Sequence, residues 1–330
     1  MKGHITDKKK KSEKKGAVKR IFLGALLIGI GALILGGCGS STEETQSEQE
    51  KTASAKKEDD KIQIGLTVDS FVIERWIRDR DVFVATAREM GADVNVQDAG
   101  ADAKEQISQI EYFISKQVDV IVVIARDCGA LSDVIQKAQN AGIPVISYDR
   151  MINNSNTNLY ISFDNRKVGE IMAQALIDAI PQGGDIFMIQ GSSTDNNVHM
   201  LKKGFDDVLK NSDLNVVYEA NCEGWMAELA EGYMEEALEK YPHVKGIMCG
   251  NDDIASQVVE VLAENQMAGD VIVVGQDGDL AACQRIVEGT QYMTAFKPIE
   301  DLAREAAKYA VEIGSGKDPS ELEGVTETVN

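Results

Sequence analysis

Short apolar runs alternate with helix-spaced apolar positions along most of the chain. Ile62–Val68 reads as a strand, Val82–Met90 as a helix stopped by Gly91, and Val94–Val96 as a second strand. Ala103–Lys116 carries Ile107, Ile110 and Ile114 at helical spacing. Val118–Ile124 is a continuous β-branched run, the pattern of a parallel strand covered on both faces. Leu131–Asn140 predicts a helix ended by Gly142, and Ile143–Tyr148 and Leu159–Phe163 two more strands. The alternation then continues with helices at Val168–Ile180, Asn197–Lys210, Ala227–Lys240, Ile254–Gln266, Leu280–Glu288 and Glu300–Ile313. Strands fall between them at Asp185–Ile189, Asn215–Tyr218, Val244–Cys249, Val271–Val274 and Tyr292–Phe296.

Strict β/α alternation implies parallel sheets with helices on both faces. A single eight-stranded barrel is one way to close so many strands. Two strands meet without a helix between residues 143 and 163, which breaks a barrel's repeat. The expected fold is therefore α/β, with two doubly wound parallel-sheet lobes joined by a hinge and a cleft between them. The expected division is residues 61–165 plus 298–330 for the N-terminal lobe and 166–297 for the C-terminal lobe.

The first sixty residues follow a different pattern. Residues 1–37 hold nine basic residues against two acids. An uncharged run, Ile21 to Leu35, follows the basic residues. At 1.5 Å rise per residue it falls short of the roughly 30 Å hydrocarbon core, so it reads as the apolar region of a secretory signal. Leu35-Gly36-Gly37-Cys38 resembles the bacterial lipobox. That resemblance implies cleavage before Cys38 and lipidation of its sulfur, which would anchor the protein on the outer face of the cell membrane. Residues 38–60 are Ser, Thr, Glu, Lys and Gln with almost no large apolar residue and read as a disordered tether.

Composition narrows the function. The 330 residues carry 34 Lys and Arg against 54 Asp and Glu, a formal net charge of −20. Such a surface repels nucleic-acid phosphate, so no nucleic-acid partner is expected. The five cysteines are scattered, without C-x-x-C or a histidine at zinc spacing. Cys128, Cys222, Cys249 and Cys283 read as small buried hydrophobes. The sequence contains no H-E-x-x-H, G-x-S-x-G or Walker A motif, and no G-x-G-x-x-G follows the first strand. Neither an enzyme nor a cofactor is expected.

In doubly wound sheets, ligands sit beyond the carboxyl ends of the strands. Those ends read Asp69-Ser70 with Arg75-Trp76 shortly after, Arg126-Asp127, Asp149-Arg150, Thr194 to Asn197, Glu223-Gly224-Trp225, Asn251 to Asp253, Gln276 to Asp279, and Lys297. Carboxylate, amide and guanidinium groups recur there, with both tryptophans. A sugar presents hydroxyls that each donate and accept, which Asp, Asn and Arg can bridge in pairs. Its ring faces carry C–H groups that pack on aromatic planes. The candidates for ligand contact are Arg75, Trp76, Asp149, Arg150, Asn197, Trp225, Asn251, Asp277 and Lys297. Each has a plainer alternative: a surface helix start for Arg75-Trp76, an ion pair for Asp149-Arg150, core filling for Trp225, a helix cap for Asn197, a turn for Asn251, a solvated hinge for Lys297. Asp277 with Asp279 could form an acid–base pair, but one ligand contact and one cap of the next helix is the expected reading.

From Lys61 to Lys317 the chain resembles the periplasmic sugar-binding proteins of the ribose/galactose type. Within them it is most similar to the D-xylose-binding branch that serves bacterial ABC importers. The resemblance rests on Glu74-Arg75-Trp76, Asp79-Arg80-Asp81, Ser108 to Glu111, Tyr148 to Asn153, Tyr160 to Asn165 and Asp195-Asn196-Asn197. It continues through Gly224-Trp225, Asn251-Asp252, Gly275-Gln276-Asp277, Gly289-Thr290-Gln291 and Lys297-Pro298-Ile299. It implies that the nine candidates face the sugar, D-xylose. It further implies a hinge near Asp164-Asn165 and Lys297-Pro298, and a monomer that binds without chemistry and closes. The closed form would be read by an ABC permease with its ATPase or, alternatively, by a membrane sensor histidine kinase. A sugar-responsive repressor shares the lobes but needs a DNA-binding motif where this chain has its signal. The Ala125-Arg126-Asp127-Cys128 turn departs from the family, which more often has an uncharged turn there. The family also leads one to expect a further crossing between the lobes beyond Asn330.

Overall fold

The computed structural model describes residues 61–322; the signal, the tether and Cys38 lie outside the described residues. The N-terminal lobe holds β1 (Gln63–Val68), α1 (Arg75–Glu89), β2 (Asp93–Asp98), α2 (Ala103–Lys116), β3 (Val120–Ile124), α3 (Ser132–Asn140), β4 (Val145–Tyr148) and β5 (Leu159–Ile161). The strands form one parallel sheet in the order β2-β1-β3-β4-β5. The C-terminal lobe follows with α4 (Asn165–Ala179), β6 (Gly184–Gln190), α5 (Asn196–Leu209), β7 (Leu214–Asn221), α6 (Leu229–Lys240), β8 (Gly246–Cys249), α7 (Asp252–Glu264), β9 (Ile272–Asp277), α8 (Leu280–Glu288) and β10 (Met293–Phe296). Its parallel sheet has the order β7-β6-β8-β9-β10, the same winding as the first. The last helix, α9 (Ile299–Gly314), returns to pack on α1, β1 and β3.

These elements follow from side-chain chemistry. All five residues of β3 and all four of β4 and β8 are buried, as continuous apolar runs in a two-sided sheet require. The Asp102 carboxylate accepts from the Lys104 amide and starts α2, and the Asn251 side chain accepts from the Ile254 amide and starts α7. Each sheet reverses its winding beside its first strand, so the carboxyl ends of β1 with β3 and of β6 with β8 open on crevices. The chain crosses between lobes after β5 and again after β10, through Lys297-Pro298.

Three local expectations need correction. Helix α1 begins at Arg75 rather than Val82. Its first turns carry Arg and Asp instead of an apolar stripe, and they are buried through the Arg75–Asp79 ion pair at i,i+4 spacing. Cys283 is exposed on α8, whose outward face also bears Val287; Cys128, Cys222 and Cys249 are buried. Asp279 stands at the start of α8 but makes no side-chain capping bond there, because its carboxylate accepts from Arg78 at 2.7 Å.

Helices α4 and α5 cross at glycines. A Cβ on Gly204 would lie 2.0 Å from the Arg166 carbonyl oxygen, and one on Gly169 would lie 2.0 Å from that of Leu201. Helix propensity alone favours Gly→Ala by about 1 kcal/mol. Backbone cannot yield as a side-chain tip can, so the crossing reverses that sign. Gly204→Ala is expected to destabilise the protein by about 1–3 kcal/mol in urea unfolding. A gain in stability would show that the helices separate freely.

Candidate ligand-binding site

Each strand end delivers a polar side chain to one place. Arg75 and Trp76 come from the first turn of α1, Asp149 and Arg150 from the end of β4, and Asn197 from the first turn of α5. Trp225 comes from the short turn Glu223–Trp225 after β7, Asn251 from the end of β8, Asp277 from β9 and Lys297 from the end of β10. All nine line one small cavity of ≈ 20 Å³, and none is more than 7% exposed. Ile73, Asp195 and Gln276 complete the lining.

The charges are arranged in pairs. The Arg75 guanidinium donates to Asp149 at 2.8 Å, contacts Asp79 at 3.3 Å and lies 3.6 Å from Asp277. Lys297 approaches Asp277 at 3.5 Å. Arg150 donates to Asp69 at 2.7 Å and pairs with Asp195 at 2.8 Å. Behind this layer the Tyr148 hydroxyl donates to Asp79. Burial works against the charged form of every one of these groups. At Asp149 the cations Arg75, Lys297 and Arg150 overcome it and hold the carboxyl below its usual range. At Asp79 and Asp195 burial prevails, and both carboxyls are raised despite Arg75 and Arg150 respectively. Burial would lower the Arg75 guanidinium, but Asp149, Asp79 and Asp277 raise it well above its ordinary value.

The two tryptophans stand in the same wall system. Arg150 lies 5.4 Å from the Trp76 ring centroid and 5.8 Å from that of Trp225. The Trp225 indole N–H donates to Asp195 at 3.1 Å, and its ring lies flat on Gly191, where any Cβ would strike ring carbons at 2.3 Å. Asp149, Trp225 and Asp277 hold backbone φ of +60°, +59° and +106°, conformations that side chains rarely adopt. Such backbone strain concentrates where a side chain has to be aimed.

After these pairings several buried atoms around the cavity still lack a hydrogen-bond partner within the protein. They are the Trp76 indole N–H, Asn197 Oδ1, Gln276 Oε1 and Asp277 Oδ1. Asn197 uses its Nδ2 for Asp149 at 2.8 Å, and Gln276 uses its Nε2 for the Gly250 carbonyl at 2.6 Å. One donor and three acceptors thus converge on a space with its charges already paired. A more open recess between β5 and α9, lined by Leu159, Phe163, Pro298 and Leu302 among others, gathers no unpartnered buried polar atom among the described residues. Nor, among those residues, does any group of three His, Cys, Asp or Glu stand ready to hold a metal ion.

Asp195 and Gln276 sit at strand ends and were legible there, but the flanking Asn197 and Asp277 drew the assignment. Asp79 was signalled only by its spacing from Arg75, visible once α1 is known to start at Arg75. Ile73 is an apolar residue in a loop and carries no sequence signal.

The periplasmic binding protein domain model matches residues 64–318. A D-xylose-binding periplasmic protein of Escherichia coli (strain K12) is 42% identical over 263 residues, covering 78% of this chain and 79% of the relative. One from Haemophilus influenzae is 42% identical over 261 residues, covering 78% of each. The crystal structure of an ABC transporter periplasmic solute-binding protein from Actinobacillus succinogenes 130z with bound D-allose superposes with a TM-score of 0.72. It is 26% identical, covering 78% of this chain and 93% of that chain.

One rim of the cleft is acidic and crosses between lobes. Arg78 on α1 meets Asp279 at 2.7 Å, and Asp253 at the start of α7 stands close enough to Glu74 at the start of α1 to feel its charge. Burial, then Asp277 and Asp252, raise Asp279 to about 7, with Arg78 opposing; burial, Asp277 and Glu74 raise Asp253 to about 6. A carboxyl raised in the folded state stabilises fully below its unfolded value and loses that contribution as pH rises through the folded one. The melting temperature is expected to fall from about pH 4 to about pH 7, and Asp279→Asn to flatten much of that fall. An identical slope in the variant would remove Asp279 as its source.

Proposed function

The chain belongs to the periplasmic binding protein family, and we propose that it binds a single monosaccharide, D-xylose, in this cavity and delivers it to an ABC importer. The observation that carries the reading is the set of buried atoms without a hydrogen-bond partner around a cluster whose cations are all paired. Each sugar hydroxyl donates and accepts, so a polyol satisfies the Trp76 N–H and the Asn197, Gln276 and Asp277 oxygens together. Both indoles also line the cavity, where an exposed ring edge or face would meet the C–H groups of a pyranose. The relatives named for D-xylose share 42% identity across more than three quarters of the chain, which supports that sugar over other pentoses.

Binding operates through the lobes. Asn197 and Asp277 belong to the C-terminal lobe and Asp149 and Arg75 to the N-terminal lobe, yet they bond one another. A ligand that touches both sets stabilises the closed arrangement by its differential affinity for it. The membrane partner then recognises closed protein. The basic run, the apolar run and Leu35-Gly36-Gly37-Cys38 support a lipid anchor at Cys38, which would keep the binder at the outer membrane surface beside its importer.

Titration calorimetry of the purified protein against D-xylose, D-ribose, L-arabinose and D-glucose is expected to give one-to-one binding, tightest for D-xylose. Asp277→Ala removes a buried charged partner worth about 2–5 kcal/mol, so affinity should drop at least about 30-fold. Tighter binding of another sugar would move the specificity, and heat from none would sink the reading. Separately, Cys38→Ala is expected to shift the protein from the membrane fraction to the soluble fraction. Continued membrane association after chemical removal of acyl chains would exclude the anchor.

A further inference from the structure

The rim opposite Asp279 is closed by a different chemistry. Arg126, in the turn after β3, extends from the N-terminal lobe and donates through Nη1 to the carbonyl of Gly224 in the C-terminal lobe, at 3.2 Å. The same nitrogen lies 3.4 Å from Asp69. Asp69 takes a 2.7 Å bond from Arg150, Arg150 pairs with Asp195 at 2.8 Å, and Asp195 accepts from the Trp225 indole at 3.1 Å. Trp225 follows Gly224 in the chain, so these contacts form a closed ring through both lobes. Arg126 itself does not line the cavity, and its side chain is 21% exposed.

The turn it grips is one that needs gripping. Gly224 and Trp225 are both left-handed, with φ of +66° and +59°, and a Cβ on Gly224 would fall 2.5 Å from Arg126 Nη2. Two successive left-handed residues are unfavourable for a chain segment left to itself, most of all with an indole at the second. The Asp195 bond fixes one edge of that indole from within its own lobe; Arg126 fixes the backbone beneath it from the other lobe. Beside it the Cys128 amide donates to the Thr194 carbonyl at 3.4 Å, so the whole turn after β3 lies against the C-terminal lobe.

We propose that Arg126 is a positioning residue that locks the Trp225 wall to the N-terminal lobe when the cleft closes, and so sets how slowly the sugar leaves. This rests on the binding reading above. Removing Arg126 leaves no bare buried charge, because Asp69 keeps its bond to Arg150. The fold should therefore survive the change, and the effect should fall on release rather than on encounter.

The test is stopped-flow tryptophan fluorescence of the full chain with D-xylose and D-ribose, for wild type, Arg126→Ala and Arg126→Lys. Arg126→Ala should speed dissociation about tenfold, the scale of one hydrogen bond from a charged donor. Its association rate, its ligand-free melting temperature and its ranking of the two sugars should stay at wild-type values. Both contacts run through one nitrogen, so Arg126→Lys should recover most of the slow release. An unchanged dissociation rate in Arg126→Ala would overturn the proposal while leaving the binding function intact. An altered ranking of the two sugars would overturn it too, by placing the guanidinium against the ligand. A wild type that binds neither sugar would overturn the binding reading and this inference with it.

Discussion

The cleft depends on a guanidinium that has been taken out of water. Arg75 is 3% exposed, and an isolated cation there would be untenable. It is held by Asp79 one helical turn along and by Asp149 at the end of β4, both in its own lobe. The pairing on the other side follows the same rule: Lys297 meets Asp277, and both belong to the C-terminal half of the cleft. Of the pairs made by Arg75, Arg150 and Lys297, Arg75–Asp277 and Arg150–Asp195 join acid and base from different lobes. Separating the lobes therefore breaks these two pairs without leaving any of the three cations alone. That division makes a buried, highly charged interface compatible with repeated opening, since losing the sole partner of a buried charge costs about 3–5 kcal/mol.

The same arrangement selects the kind of ligand. The buried acids Asp69, Asp79, Asp149, Asp195 and Asp277 outnumber Arg75, Arg150 and Lys297. An anion entering this space would meet excess negative charge and find every cation occupied. A neutral polyol disturbs none of the pairs and satisfies the atoms they leave over. Selectivity thus comes from which hydrogen-bonding positions remain after the cations have been paired. A site that hydrogen-bonds each hydroxyl also penalises a sugar lacking one, because a buried partner is then left unpaired.

Much of this was legible in the sequence, for identifiable reasons. Strands such as Val120–Ile124 are buried on both faces, so their burial is written in every residue. Once the alternation defined strand ends, the nine candidate residues could be read off by position, and the structure gathers all nine around one cavity. What stayed hidden depended on partners distant in the chain. The start of α1 has no apolar period, because its buried face is polar and compensated by Asp149 and Asp277. Asp279 looked like a cap because caps are local, and its partner Arg78 lies on the other lobe. Cys283 looked buried by residue type, but α8 packs one narrow face and leaves Val287 89% exposed.

The two rims of the cleft are closed by chemically unlike devices, and this asymmetry has consequences for how the protein is tuned. At one rim burial and neighbouring carboxyls push Asp279 up to about 7 and Asp253 up to about 6. Protons taken up there relieve repulsion within the C-terminal lobe among Asp277, Asp252 and Asp253, and at Asp279 they weaken the ion pair with Arg78 across the rim. At the other rim Arg126 donates to a backbone carbonyl, and a guanidinium stays charged at any pH the protein meets. Mild acidification therefore bears on the Asp279–Arg78 pair, while the Arg126 bond to the Gly224 carbonyl involves no carboxylate.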